Sequence, residues 1–269
     1  MRRLDDQHGI TLIELLIAMT IASIISAMLL TSWFALNTSY TYSVNSNKAR
    51  DLGRQAMSRI QREVRDAEFG AVNVGPPPNQ FTLNEEPAIL RSRPWTLTLT
   101  TTFNESGNTD PGKKPHLVAY RLYYMAADDK AELWRFEDTY NATTHAMTPD
   151  GRISGLTFYS ADEPTSNGRP NFNNNERSAV AAAGDRAELV VRDVVNTDTS
   201  LATPVALFTY SGYFDDSGAL TFQTDVRGKD NRLNLLAVRI HLLIDLNPKR
   251  SPVFADLINT AQLRNQRQF

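Results

Sequence analysis

Residues 10–30 hold a single charge, Glu14, and no further charge appears before Lys48. As a helix at ~1.5 Å rise per residue, such a run spans roughly the ~30 Å hydrocarbon core of a bilayer. Beyond it the pattern becomes periodic. Leu52, Ala56, Ile60 and Val64 recur every four residues, and Ala49, Met57 and Ala67 fall on the same side. Arg50, Arg54, Arg62, Arg65 and Asp66 fall on the other, which is an amphipathic helix pattern. No proline precedes Pro76, and Gly53 is the only glycine between Gly9 and Gly70. One nearly continuous helix over about 11–67 is therefore predicted, its later apolar stripe packed on a sheet.

"GAVNVGPPPNQ" (70–80) ends that helix. Thereafter the period is two. "WTLTLTTTF" and "LVAYRLYYM" alternate, and "AELWRFE" follows the turn "AADDK" in a hairpin-like arrangement. "ISGLTFYS", "AELVVRDVV", "ALFTYSGYF" and "ALTFQ" continue as strands. "LLAVRIHLLIDL" sets Val238, Ile240, Leu242, Ile244 and Leu246 on one face. Asn247-Pro248 turns the chain into a last strand over about 254–264. The polar stretch 161–186 reads as a mobile loop, a tolerated insertion rather than a binding loop.

Composition narrows the function classes. A net charge of −2 supplies no basic excess for nucleic acid, and the absence of cysteine excludes disulfides and thiolate metal sites. His8, His116, His145 and His241 are far apart and lack metal-ligand spacing. Neither a phosphate-binding glycine loop nor a Gly-x-Ser-x-Gly elbow occurs, so no enzyme activity and no cofactor is expected. The one candidate for calcium is "FDDSG", where Asp215, Asp216 and Ser217 offer hard oxygens with Asp225 nearby. A hairpin turn explains the same residues.

The order of features around Glu14 is more specific. A short polar leader ends in Gly9, and Ile10-Thr-Leu-Ile-Glu14-Leu-Leu opens the apolar run. This resembles the prepilin cleavage and methylation signal of type IV pilins and type II secretion pseudopilins. The resemblance implies cleavage between Gly9 and Ile10 by prepilin peptidase and methylation of the new amine on Ile10, where the family more often has Phe. It also implies that Glu14, costly in hydrocarbon, meets the amine of a neighbouring subunit during assembly. "VAYRLYY…ELWRFED" and the C-terminal strands, with their closing Leu263, Arg264 and Asn265, resemble PilW-like minor pilins and the J-type pseudopilin.

The fold class expected is α+β and pilin-like, a long N-terminal helix packed on a C-terminal antiparallel sheet. Residues 1–9 would be a leader, 10–36 a transmembrane assembly helix, 37–68 its amphipathic half and 69–269 a β-rich domain. Arg2 and Arg3 favour a cytoplasmic N-terminus, with Trp33, Phe34 and Tyr40 as interfacial aromatics and the β-domain outside the inner membrane. The function implied is a minor pilin that initiates, caps or builds an extracytoplasmic filament. Its partners would be other minor and major pilins or pseudopilins, prepilin peptidase, the inner-membrane assembly platform and the lipid bilayer. A minor pseudopilin of a type II secretion system is the alternative within the class. A signal-anchored ligand-binding β-domain is the alternative outside it, and Gly9 with Glu14 argues against that one.

Overall fold

The structure, a computed structural model, describes residues 11–67, 87–102, 116–125, 130–141, 146–147, 153, 156, 170, 175–197, 201, 203–212, 221–227, 229–246 and 255–263. Two compact units are present, Met1–Asn47 and Lys48–Phe269.

Helix α1 (Leu12–Arg65) runs for 54 residues without a proline. Its N-terminal part is long and apolar enough to cross a membrane and none of it is buried. Leu16, Ile17, Ile21, Ile24, Ile25 and Leu29 are all exposed there. From Ala49 onward one face turns inward. Ala49, Gly53, Ala56, Met57, Ile60 and Val64 are buried, and Leu52 packs half-buried against them. Arg62 and Arg65 occupy the last turn, where cations suit the helix dipole. Just past the helix, Ala67 makes an isolated antiparallel bridge to Thr101.

That sheet is built from β1 (Ile89–Arg93), β2 (Thr96–Thr101), β3 (His116–Met125), β4 (Lys130–Glu137), β7 (Arg186–Val194), β8 (Phe208–Ser211), β9 (Ala237–Ile244) and β10 (Ala255–Gln262). Its order is β1-β2-β3-β4-β7-β9-β10, antiparallel throughout, with β8 on β9. β5 (Tyr140–Asn141) and β6 (Ala146–Met147) form a separate two-stranded ribbon. Short helices α2 (Glu176–Ala182) and α3 (Lys229–Leu233) complete the elements. This is the α+β, pilin-like arrangement of a long apolar helix followed by an antiparallel sheet.

The β3–β4 hairpin pairs Met125 with Lys130, and β9 pairs with β10 over eight residues, holding the C-terminal strands without a disulfide. β7 and β8 share the β9 edge opposite β10: β8 takes residues 237–240 and Val194 of β7 takes Ile244. The side chain of Asn196 fills the junction. It donates to the carbonyls of Val205 and His241 and accepts from the Leu243 N–H at 2.8 Å.

Both sheet faces are covered. Leu97, Leu99, Val118, Tyr120, Leu122, Val238, Ile240, Leu242 and Ile244 join the α1 stripe in the main core. At Gly53 helix and sheet leave no room for a side chain: a Cβ there would overlap Leu257 Cδ1 and lie 2.9 Å from Ile244 Cδ1. On the opposite face Leu117, Ala119, Tyr123, Phe136, Ile153, Leu156 and Val180 form a second cluster. Period-two sequence implies one wet face, yet every residue of β2 is buried.

The second cluster corrects the reading of 161–186 as a mobile loop. Its described part contains α2, whose Val180 is fully buried. Glu176 Oε2 accepts from Arg121 Nη1 and from Tyr123 Oη, each at 2.8 Å, which pins α2 to β3. An alanine-rich run (Ala179, Ala181, Ala182) gives the segment helical propensity, and Gly184 at φ +90° ends it. Two other expected strands fall partly outside the described residues. Of 153–159 only Ile153 and Leu156 are described, and neither is in a strand. Of 219–223, Ala219 and Leu220 lie outside the described residues, and Gln223 makes one isolated bridge with Tyr210.

Candidate functional site

Gly9 and Ile10 lie outside the described residues, which begin at Thr11. Glu14 is exposed on the first turn of α1. Its Oε2 accepts from the Thr11 N–H and from Thr11 Oγ1, each at 2.9 Å, while the Glu14 N–H donates back to Thr11 Oγ1 at 3.3 Å. That reciprocal pairing is a capping box, Thr11 at the N-cap and Glu14 three residues on. It gives the carboxylate a second occupation that the sequence reading missed, although Thr-x-x-Glu was in plain view. Within one chain Glu14 closes the helix start.

Among the helix-packing residues, Ala56, Ile60 and Val64 are buried in the main core and Leu52 is half-buried. Two charged neighbours, Arg59 and Glu63, are buried on the flank of the same stripe. Arg59 Nη1 and Nη2 donate to the two carboxylate oxygens of Glu188 on β7, both at 2.8 Å. Glu63 accepts from Arg135 Nε at 2.8 Å and from Tyr120 Oη at 2.7 Å. Arg135 Nη1 continues to Glu137 Oε2 at 2.6 Å, and His116 Nε2 lies 3.3 Å from Glu137 Oε1.

This network spans α1, β3, β4 and β7, and its charges alternate in sign. Burial pushes the Glu63 carboxyl up, against the pull of Arg135 and Tyr120. Burial also pushes Glu137 up, but its bonds with His116 and Arg135 outweigh that and hold it well below the usual carboxylate range. The Arg59 hydrogen bonds lower Glu188. This array fixes the rotation and register of the helix on the sheet, which hydrophobic contact alone specifies loosely.

The acidic candidate has a different setting. Asp225 Oδ2 accepts from Arg93 Nη1 at 2.6 Å and from Arg227 Nε at 2.8 Å, whereas Asp215 and Asp216 lie outside the described residues. Among the described residues no three His, Asp or Glu side chains gather as a metal site. His241 is half-buried on β9 and shares a 2.8 Å contact with Asp256 of β10.

The N-terminal segment is what relates this chain to known proteins. Residues 4–30 match the family model of the prokaryotic N-terminal methylation motif. The match covers Gly9, Ile10 and Glu14 and supports a protein of the type IV pilin and pseudopilin kind. That motif marks structural proteins rather than enzymes. With the apolar helix near the N-terminus it fits a membrane-anchored pilin, processed by prepilin peptidase and assembled with other pilins. No curated protein matches the chain.

Proposed function

We propose that this chain is a minor pilin: a subunit that initiates, caps or builds a type IV pilus or a related extracytoplasmic filament. The methylation motif at residues 4–30, opening directly into α1, carries the reading. In it, residues 1–9 are the leader, 10–36 the membrane and assembly segment, 37–68 the amphipathic half of the helix and 69–269 the β-rich domain. Arg2 and Arg3 keep the N-terminus cytoplasmic, so the β-domain lies outside the membrane before it joins the filament. Gly9 and Ile10 are the processing pair, and Glu14 meets the amine of a neighbour. A helix without proline from Leu12 to Arg65 supports a minor subunit over a major one, because a proline in the membrane half lets a shaft helix loosen.

Processing tests this directly. Co-expressed with a prepilin peptidase, the chain should be recovered beginning at N-methylated Ile10, as read by intact mass. Recovery of the uncut chain from membranes with active peptidase would exclude the reading.

A further inference from the structure

Helix α1 is restrained at both ends and not between them. Residues 12–36 belong to the apolar part that is long enough to cross a membrane. A backbone in hydrocarbon must satisfy its own hydrogen bonds, so lipid enforces the helix there. Further on, Ala49, Gly53, Ala56, Ile60 and Val64 are buried, and packing enforces it. Residues 37–47 have neither restraint. All are exposed except Asn45 and Ser46, which are half-buried, and none carries a charge for a helix-stabilising ion pair.

The composition of this stretch does not make up the difference. It reads Asn-Thr-Ser-Tyr-Thr-Tyr-Ser-Val-Asn-Ser-Asn, eleven residues that all belong to the poorer helix formers. By contrast, thirteen of the eighteen residues from Lys48 to Arg65 are Ala, Leu, Met, Lys, Arg, Gln or Glu, the better ones. Val and Thr lose rotamer freedom against the preceding turn, while Ser and Asn side chains compete for backbone groups. Thr41 does so inside the helix. Its Oγ1 donates to the Asn37 carbonyl at 2.8 Å, a bond of the kind that weakens and bends a helix.

We propose that residues 37–47 are a yielding link in α1, a stretch that opens and recloses while the helix on either side stays formed. Reclosing needs no new nucleus, because each flank is already helical and only propagation is required. Opened, the eleven residues lengthen from about 16 Å to at most about 40 Å. Tension along α1 is therefore taken up here before it strips the helix from the sheet or draws the apolar part out of lipid. The lipid restraint on residues 12–36 rests on the membrane-anchored reading of the chain. The composition and exposure of 37–47 do not.

The test is amide hydrogen exchange of the full-length, uncut chain in lipid nanodiscs, read by mass spectrometry against the rates of an unstructured chain. Protection at residues 40–46 should be at least about a hundredfold lower than at residues 52–64. A second protein carries Ser39→Ala, Thr41→Ala, Ser43→Ala and Asn47→Ala, all at exposed positions. It should exchange at least about tenfold more slowly over 40–46, with protection at 52–64 and thermal melting unchanged. A difference below about a hundredfold in the natural chain, or no slowing in the alanine variant, would each overturn the proposal. Protection at residues 16–30 reports the lipid-bound flank in the same experiment, so the failure of the membrane reading is told from the failure of the link.

Discussion

Glu63 of the helix and Arg135 of β4 meet at 2.8 Å with 0% and 1% of their side chains exposed. Two ions taken that far from water are stable only as partners. Removing one leaves the other buried and uncompensated, which costs about 3–5 kcal/mol. Glu63→Ala should therefore lower unfolding stability by that order, measured by urea denaturation of the β-domain. Glu63→Gln keeps the shape and an acceptor, so it should cost less. A loss under about 1 kcal/mol for Glu63→Ala would show that the network adds no hold of the helix on the sheet.

Acid should loosen the neighbouring contacts of the same network. Glu188 is lowered from its ordinary 4.5 by Arg59, and Glu137 is held low by His116 and Arg135 despite burial. For a lowered carboxyl the unfolded chain takes the proton first. Its stabilising contribution is thus complete above about pH 4.5 and is lost as pH falls below. Glu63, raised by burial, works the opposite way and softens the loss. The melting temperature should drop as pH falls from about 5 to 3. Glu188→Gln should be less stable than wild type at neutral pH yet lose less over that interval. Parallel curves for the two proteins would contradict the assignment.

Asn196 should prove as sensitive as any core residue. Its fully buried amide makes three bonds where β7 leaves β9 and β8 takes over. Asn196→Ala strands two carbonyls and one N–H inside the sheet, each costing about 1–3 kcal/mol. Loss of several kcal/mol, with faster amide exchange at Leu243 than at Leu242, is expected. A change confined to overall stability with no local exchange effect would argue against the junction role.

What was legible in the sequence follows from range. The α1 stripe and the β9 face were readable because apolar spacing is local: Ile60 and Val64 on one, Val238 to Ile244 on the other. The buried charges were not readable. Arg59 and Glu63 stand four apart on a helix and look like a surface pair, while Glu188 lies 129 residues from Arg59 and Arg135 lies 72 from Glu63. The helix inside 161–186 was lost for a related reason. Polar residues dominate that stretch, and the docking partners of Glu176, Arg121 and Tyr123, are 55 and 53 residues away. The Thr11–Glu14 cap, by contrast, was fully local. Thr11 and Glu14 stand three apart, so the same residue that the resemblance assigns to assembly also carries a legible capping signal.

Those two roles for Glu14 predict different outcomes for one pair of substitutions. As a cap, Glu14 needs only an acceptor for the Thr11 N–H, and glutamine serves that position in a capping box as glutamate does. As the counter-charge to a neighbour's amine, it needs the negative charge itself. An opposite-charge contact at ~4 Å in a poorly solvated setting exceeds a surface pair in strength, and glutamine forfeits it. Glu14→Ala removes both functions and should leave insertion and cleavage intact, since burying the carboxylate only opposes insertion. Crosslinking to partner pilins, compared across wild type, Glu14→Gln and Glu14→Ala, separates the two. Under the proposed assembly role both variants are cleaved after Gly9 and neither enters the filament. If Glu14→Gln assembles normally and Glu14→Ala does not, the carboxylate is a cap and the charge pairing between subunits is refuted.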